Sequence, residues 1–150
     1  MGTAIQPQPT WRHTFHVEGG NPLLVPARAR ETVCHWIEAR SCDLETVTSE
    51  LVTNAVRHGF GTTPHTGYVH LKLTTDLAGR HELVVTDPGR SPGEPVMGLP
   101  DNDPAPDPDP DPRVERLRGL VLVDLLTAGL WGHYRNGRGE RVVWAILPPS

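Results

Sequence analysis

Residues 68–75 alternate without a break, Val69, Leu71 and Leu73 apolar against His70, Lys72 and Thr74 polar. A period of two fits a β-strand with one buried and one wet face, and no helix. A turn at residues 76–80, containing Ala78-Gly79, leads into a second strand at 81–87, so the two form a hairpin. Leu83, Val85 and Asp87 share one parity of that second strand. If Leu83 and Val85 face the core, the Asp87 carboxylate points the same way at the strand end and needs a partner there. A two-stranded hairpin is not stable alone, so its apolar face must be covered by other elements.

The rest of the chain supplies the cover. Pro26 suits the first turn of a helix over 24–40, in which Ala29, Val33, Trp36, Ile37 and Arg40 follow the helical period and Arg28, Arg30 and Arg40 line the polar side. Ser41 or Asp43 caps a second helix that runs to His58 and stops at Gly59. Residues 119–126 are apolar nearly all round and predict a buried helix over 114–128. A short edge strand is expected at 14–18, and a second hairpin at 131–135 and 141–147 around Asn136-Gly137-Arg138-Gly139. The order β, α, α, β, β, α, β, β predicts an α+β fold. It is a two-layer α/β sandwich whose mixed, mostly antiparallel sheet is covered on one face by about three helices. One domain is expected over 13–148, after a loose tail at 1–12. Between the hairpins lies a low-complexity tract with the repeat Asp107-Pro108-Asp109-Pro110-Asp111-Pro112, expected to be extended and solvated. At about 90–114 it is too long for a tight connection and reads as a lid or an insertion.

Charge and composition narrow the function. The 150 residues carry a net charge of −4 without a basic block, which argues against nucleic acid as the main partner. No apolar run is long enough for a bilayer, and the N-terminus lacks a signal-peptide pattern, so a cytoplasmic protein with no membrane partner is expected. Cys34 and Cys42 lack metal-site spacing and are expected to be reduced thiols. His13 and His16 have no third ligand nearby, and Ser41 and Ser91 no triad companions. Trp11, Trp36, Trp131 and Trp144 are expected to pack at the core or its edge.

Three features then stand in chain order. On the second helix, Leu44, Val47, Leu51, Val52 and Ala55 make one apolar face, and Glu50, Asn54 and Arg57 fall on the opposite side. A carboxylate and a carboxamide one turn apart suit a hard cation such as Mg²⁺ or a reacting hydroxyl. The next feature is Asp87-Pro88-Gly89 at the end of a core strand, and the last is Arg116-Leu117-Arg118-Gly119-Leu120 leading into the apolar helix.

Together these stretches resemble the GHKL ATP-binding fold of histidine kinases, gyrase and heat-shock chaperones. They are most similar to its anti-sigma-factor serine/threonine kinase branch. Ser49-Glu50-Leu51-Val52-Thr53-Asn54-Ala55-Val56-Arg57-His58-Gly59 resembles that branch's N-box. Val85-Thr86-Asp87-Pro88-Gly89 resembles its first Gly box, residues 118–124 resemble part of the second, and residues 142–145 resemble the closing strand. The resemblance spans about 27–147 and implies a Bergerat-type fold binding ATP with Mg²⁺.

It also implies roles. Asn54 would ligate Mg²⁺, and Glu50 would act as the general base on a serine hydroxyl. Asp87 would accept from the adenine amino group, and Gly89 would leave room for the ring. Gly119, at a helix start, would offer backbone N–H groups to phosphate, and Arg116 or Arg118 would reach the γ-phosphate. The implied partners are a sigma factor and an anti-anti-sigma protein of the STAS type, and an exposed sheet face leaves room for a homodimer. Two positions depart from the pattern. Leu117 stands where the second box usually has glycine, and Val142 where threonine is common. They keep an alternative open: a non-catalytic partner-binding module of the same fold with weak or lost nucleotide binding. A detached histidine-kinase ATPase domain ranks last, because no phospho-acceptor His lies in a dimerising helix.

Overall fold

The computed structural model describes residues 9–63, 65–90 and 112–149, the side chains of 112–119 excepted. Five strands form one sheet: β1 (Thr10–Glu18), β2 (Thr66–Thr75), β3 (His81–Asp87), β4 (Trp131–Arg135) and β5 (Arg141–Leu147). Their spatial order is β1-β2-β3-β5-β4. Every neighbouring pair is antiparallel, so the expected mixed sheet is an antiparallel one. The reason lies at the sheet centre. The two hairpins meet through β3 and β5, and the chain returns to that join with β5 running against β3. Three helices, α1 (Val25–Ile37), α2 (Cys42–His58) and α3 (Pro112–Thr127), make the second layer. Among the described residues no helix is long and apolar enough to cross a membrane.

The core lies between the layers. Phe15 and Val17 of β1, Val69, Leu71 and Leu73 of β2, Leu83 and Val85 of β3, and Val143, Ala145 and Leu147 of β5 are buried there. They meet Ala29 and Val33 of α1 and Leu44, Val47, Leu51, Val52 and Ala55 of α2. The opposite parity, with Lys72 paired to Val84 and Val84 to Trp144, belongs to the sheet face away from the helices. β1 starts at Thr10, four residues before the expected edge strand, and its Trp11 stacks on Trp36 of α1 with centroids 6.2 Å apart. Indole Nε1–H of Trp131 donates to Asp124 at 3.0 Å and ties β4 to α3.

The helix ends follow local chemistry. A short 3-10 turn, Pro22–Leu24, precedes α1 and is capped by the Asn21 carboxamide. α1 stops at Ile37 because Glu38 turns left-handed, at φ 53, and its N–H returns to the Cys34 and His35 carbonyls. Ser41, rather than Asp43, caps α2 by accepting from Leu44 N–H at 3.4 Å. Asp43 and Glu45 in the first turn, with Arg57 and His58 in the last, complement the helix dipole. α3 departs from the expectation of burial on all sides. Leu120, Val123 and Thr127 are buried, whereas Leu125 is 71% and Val121 43% exposed, so only one flank meets the core.

Buried His81 opens β3, its Nδ1 lying 2.9 Å from the Thr75 hydroxyl. Burial pushes its imidazole below the ordinary value of 6.5, against a smaller upward pull from Asp76. The sign follows: the unfolded chain binds the proton more readily, so stability from neutral His81 is present above about 6.5 and lost as pH falls through the lower folded value. Urea midpoints at about pH 7.5 and 5.5 should therefore fall more for the parent protein than for His81→Phe. An equal fall in both would contradict this.

Candidate functional site

The site forms where the end of α2 meets the end of β3. Gly59 ends α2, its N–H returning to the Ala55 carbonyl at 2.7 Å. Its φ of −78 is one any residue adopts, so glycine is not needed there for backbone freedom. Space is the reason. A Cβ at Gly59 would lie 2.3 Å from Asp87 Cγ and 2.4 Å from its Oδ1. α2 thus ends directly on the Asp87 carboxylate, and Arg90 N–H donates to the Gly59 carbonyl at 3.0 Å to fasten the next loop. Alanine usually improves on glycine near a helix end. Gly59→Ala should do the opposite and lower stability by about 1–3 kcal/mol in a urea melt, as overpacking against a pinned neighbour does.

Asp87 is 1% exposed. Gly89 N–H donates to its Oδ1 at 2.7 Å, and Arg141 Nε donates to its Oδ2 at 3.1 Å. Burial pushes the Asp87 carboxyl above its ordinary value, and the Arg141 guanidinium and Gly89 N–H oppose part of that rise. Arg141 is itself 1% exposed and pairs with Asp87 across the β3–β5 register. The partner that Asp87 required is therefore a cation on the neighbouring strand. Sequence reasoning missed Arg141, although its parity with Val143, Ala145 and Leu147 was a usable signal.

Asn54 sits one turn before Gly59, on the far side of α2 from solvent. At 5% exposure it is buried, not on the solvent side with Arg57 as the wheel implied. Among the described residues, neither its carboxamide oxygen nor its nitrogen has a hydrogen-bond partner. Such an orphaned pair inside a protein is unfavourable unless something else meets it. An amide oxygen is a hard donor suited to Mg²⁺, so the residue present fits the ion the resemblance implies. Glu50, one turn earlier, is half-buried and lines a cleft of about 270 Å³ with Arg30, Cys42, Glu45, Thr46 and Ser49. Arg30 Nη1 donates to the Ser49 hydroxyl at 2.8 Å on one wall of it.

The remaining expected positions are placed differently. Gly89 is left-handed at φ +65, and a Cβ on it would lie 2.5 Å from the Gly139 carbonyl oxygen and 2.7 Å from Arg135 Nη1. Its missing side chain therefore makes room for the turn between β4 and β5, which Arg135 fastens by donating to the Gly89 carbonyl at 2.9 Å. Gly119 does not stand at a helix start, because α3 begins at Pro112 and carries it in its interior. There its N–H belongs to the helical ladder. The side chains of Arg116, Leu117 and Arg118 lie outside the described residues, as do residues 1–8 of the expected tail and 91–111 of the expected lid or insertion. Val142 is 4% exposed on β5.

Comparison with known proteins adds one finding. A family model described as the histidine kinase-like ATPase domain matches residues 23–147, a span that includes α1, α2 and the four strands β2 to β5. No curated protein matches the chain.

Proposed function

The chain belongs to the histidine kinase-like ATPase domain family, an ATP-binding family, and we propose that it is a regulatory serine/threonine protein kinase of the anti-sigma-factor type. It would sequester a sigma factor and phosphorylate an anti-anti-sigma protein of the STAS type. The observation that carries the reading is Asn54: a buried carboxamide with no partner among the described residues, one turn from Glu50 on the helix that ends against Asp87.

Bound Mg·ATP would supply the phosphoryl group. The Asn54 carboxamide oxygen would hold the metal, which needs few protein ligands. Asp87 would orient the adenine by accepting from its amino group, with Gly89 holding the carboxylate by its N–H. Glu50, facing the cleft beside Arg30, would take the proton from the incoming serine hydroxyl. Arg116 or Arg118 would meet the γ-phosphate, and Gly119 would contribute only with the first turns of α3 rearranged.

A second reading is a non-catalytic module of the same fold that sequesters a partner by surface contact. Leu117 at the second Gly box and the apolar Val142 favour it. The test is transfer of label from γ-labelled ATP to serine on anti-anti-sigma-type proteins of the same organism, tried singly. Transfer to one of them supports the kinase. No transfer to any of them, together with weak or absent Mg·ATP binding, supports the second reading.

A further inference from the structure

Arg141 is among the largest fully buried side chains of the chain, and it opens a strand whose inward positions are otherwise Val143, Ala145 and Leu147. Stability alone does not call for a guanidinium there, since a buried ion pair commonly holds a fold no better than apolar residues of similar volume. Its evident effect is on Asp87. The Nε–H fixes Oδ2 at 3.1 Å while Gly89 N–H fixes Oδ1 at 2.7 Å, so the carboxylate plane is set from both sides. Two donors use about half of the roughly four lone-pair positions of an ionised carboxylate. The others accept from no donor among the described residues.

Without a cation beside it, a carboxyl this deeply buried holds its proton to higher pH, and when protonated it donates as well as accepts. Arg135 on β4 adds a weaker positive influence on Asp87, Tyr68 on β2 lies within its field, and Gly59 of α2 brings no charge. Arg141 is therefore the group that decides which hydrogen-bonding character Asp87 presents.

Resting on the reading of Asp87 as the residue that meets the base, we propose that Arg141 is a specificity-determining positioning residue. It fixes Asp87 as an acceptor and so selects a purine with an amino group at C6 over one with a carbonyl there. A carbonyl oxygen would bring its lone pairs against an ionised carboxylate, and an amino group brings a proton.

The test compares ATP with inosine triphosphate on the full chain for the parent, Arg141→Met and Arg141→Lys, near pH 6 and pH 8. Alongside it, the Asp87 carboxyl carbon is followed by NMR against pH without nucleotide. In Arg141→Met the Asp87 titration should move up, and the preference for ATP should fall by at least about tenfold, in line with the one to three units a close opposite charge is worth. The preference should recover as pH rises, and Arg141→Lys should keep most of it. If Arg141→Met fails to fold by circular dichroism, Arg141→Gln, which keeps donors without charge, takes its place. Equal weakening of both nucleotides with no pH dependence, or an Asp87 titration that does not move, overturns the proposal. A titration that moves as expected in a protein whose parent binds neither nucleotide overturns the base-binding reading beneath it, and not the coupling of Arg141 to Asp87.

Discussion

Asp87→Ala should lower folding stability by about 3–5 kcal/mol, because it strands a buried guanidinium. Asp87 and Arg141 are each 1% exposed and joined Nε to Oδ2 at 3.1 Å. Neither is exposed enough for solvent to replace the other. Removing the carboxylate also frees the Gly89 N–H and opens a void against Gly59, where the chain has no side chain to fill it. Asp87→Asn separates the two effects. It keeps the volume and an oxygen for one donor, so it should destabilise less than Asp87→Ala, yet it should still abolish nucleotide binding. Urea melts and a Mg·ATP titration on both variants check this. An Asp87→Asn variant that binds ATP as the parent does would remove Asp87 from the base-binding role, and an Asp87→Ala variant of parental stability would contradict the buried pair.

Glu50→Gln should leave Mg·ATP binding unchanged and slow phosphotransfer by about 10²–10⁴-fold, the range a positioned general base supplies. The carboxamide keeps the shape of the side chain at the cleft wall formed with Arg30 and Ser49, and removes its ability to take a proton. The split is what identifies the role. A residue that merely packed α2 would affect binding and transfer together, whereas a base affects the chemical step alone. Single-turnover label transfer at saturating ATP, beside calorimetric binding, makes the comparison. Unchanged transfer in Glu50→Gln would leave the cleft without a catalytic group.

Much of the fold was readable because it rests on short-range patterns. The alternation at 68–75 and 81–87 gave the first hairpin, and β3, β4 and β5 begin and end where their patterns do. A cap at Ser41 or Asp43 and the inward apolar face of α2 followed from residue type and period, and the structure chooses Ser41. What was not readable depends on which elements meet. Two hairpins can be inferred from turns, but nothing local says that β3 and β5 lie side by side, so the partner of Asp87 stayed hidden and the sheet was expected to be mixed. A helical wheel assigns Asn54 a direction and says nothing of what closes over it, so a residue read as solvent-facing is buried. The apolar run of α3 implied burial on all sides, while the sheet offers it one flank, and Leu125 is left exposed. Of the glycines, Gly59 stands at the helix end as read, whereas Gly119, read at a helix start, lies inside α3. Gly59 gives way to Asp87, and Gly89 to the β4–β5 turn.

The central claim is that Asn54 and Asp87 are two ends of one Mg·ATP site. Calorimetric titration of Mg·ATP into the full chain, with and without Mg²⁺, and into Asn54→Ala, tests it most directly. The account predicts binding by the parent protein that weakens when Mg²⁺ is withheld, and an Asn54→Ala variant that binds weakly whether or not Mg²⁺ is present. A parent protein that takes up no nucleotide at millimolar Mg·ATP, or an Asn54→Ala variant with the parent's Mg²⁺ dependence, would contradict it.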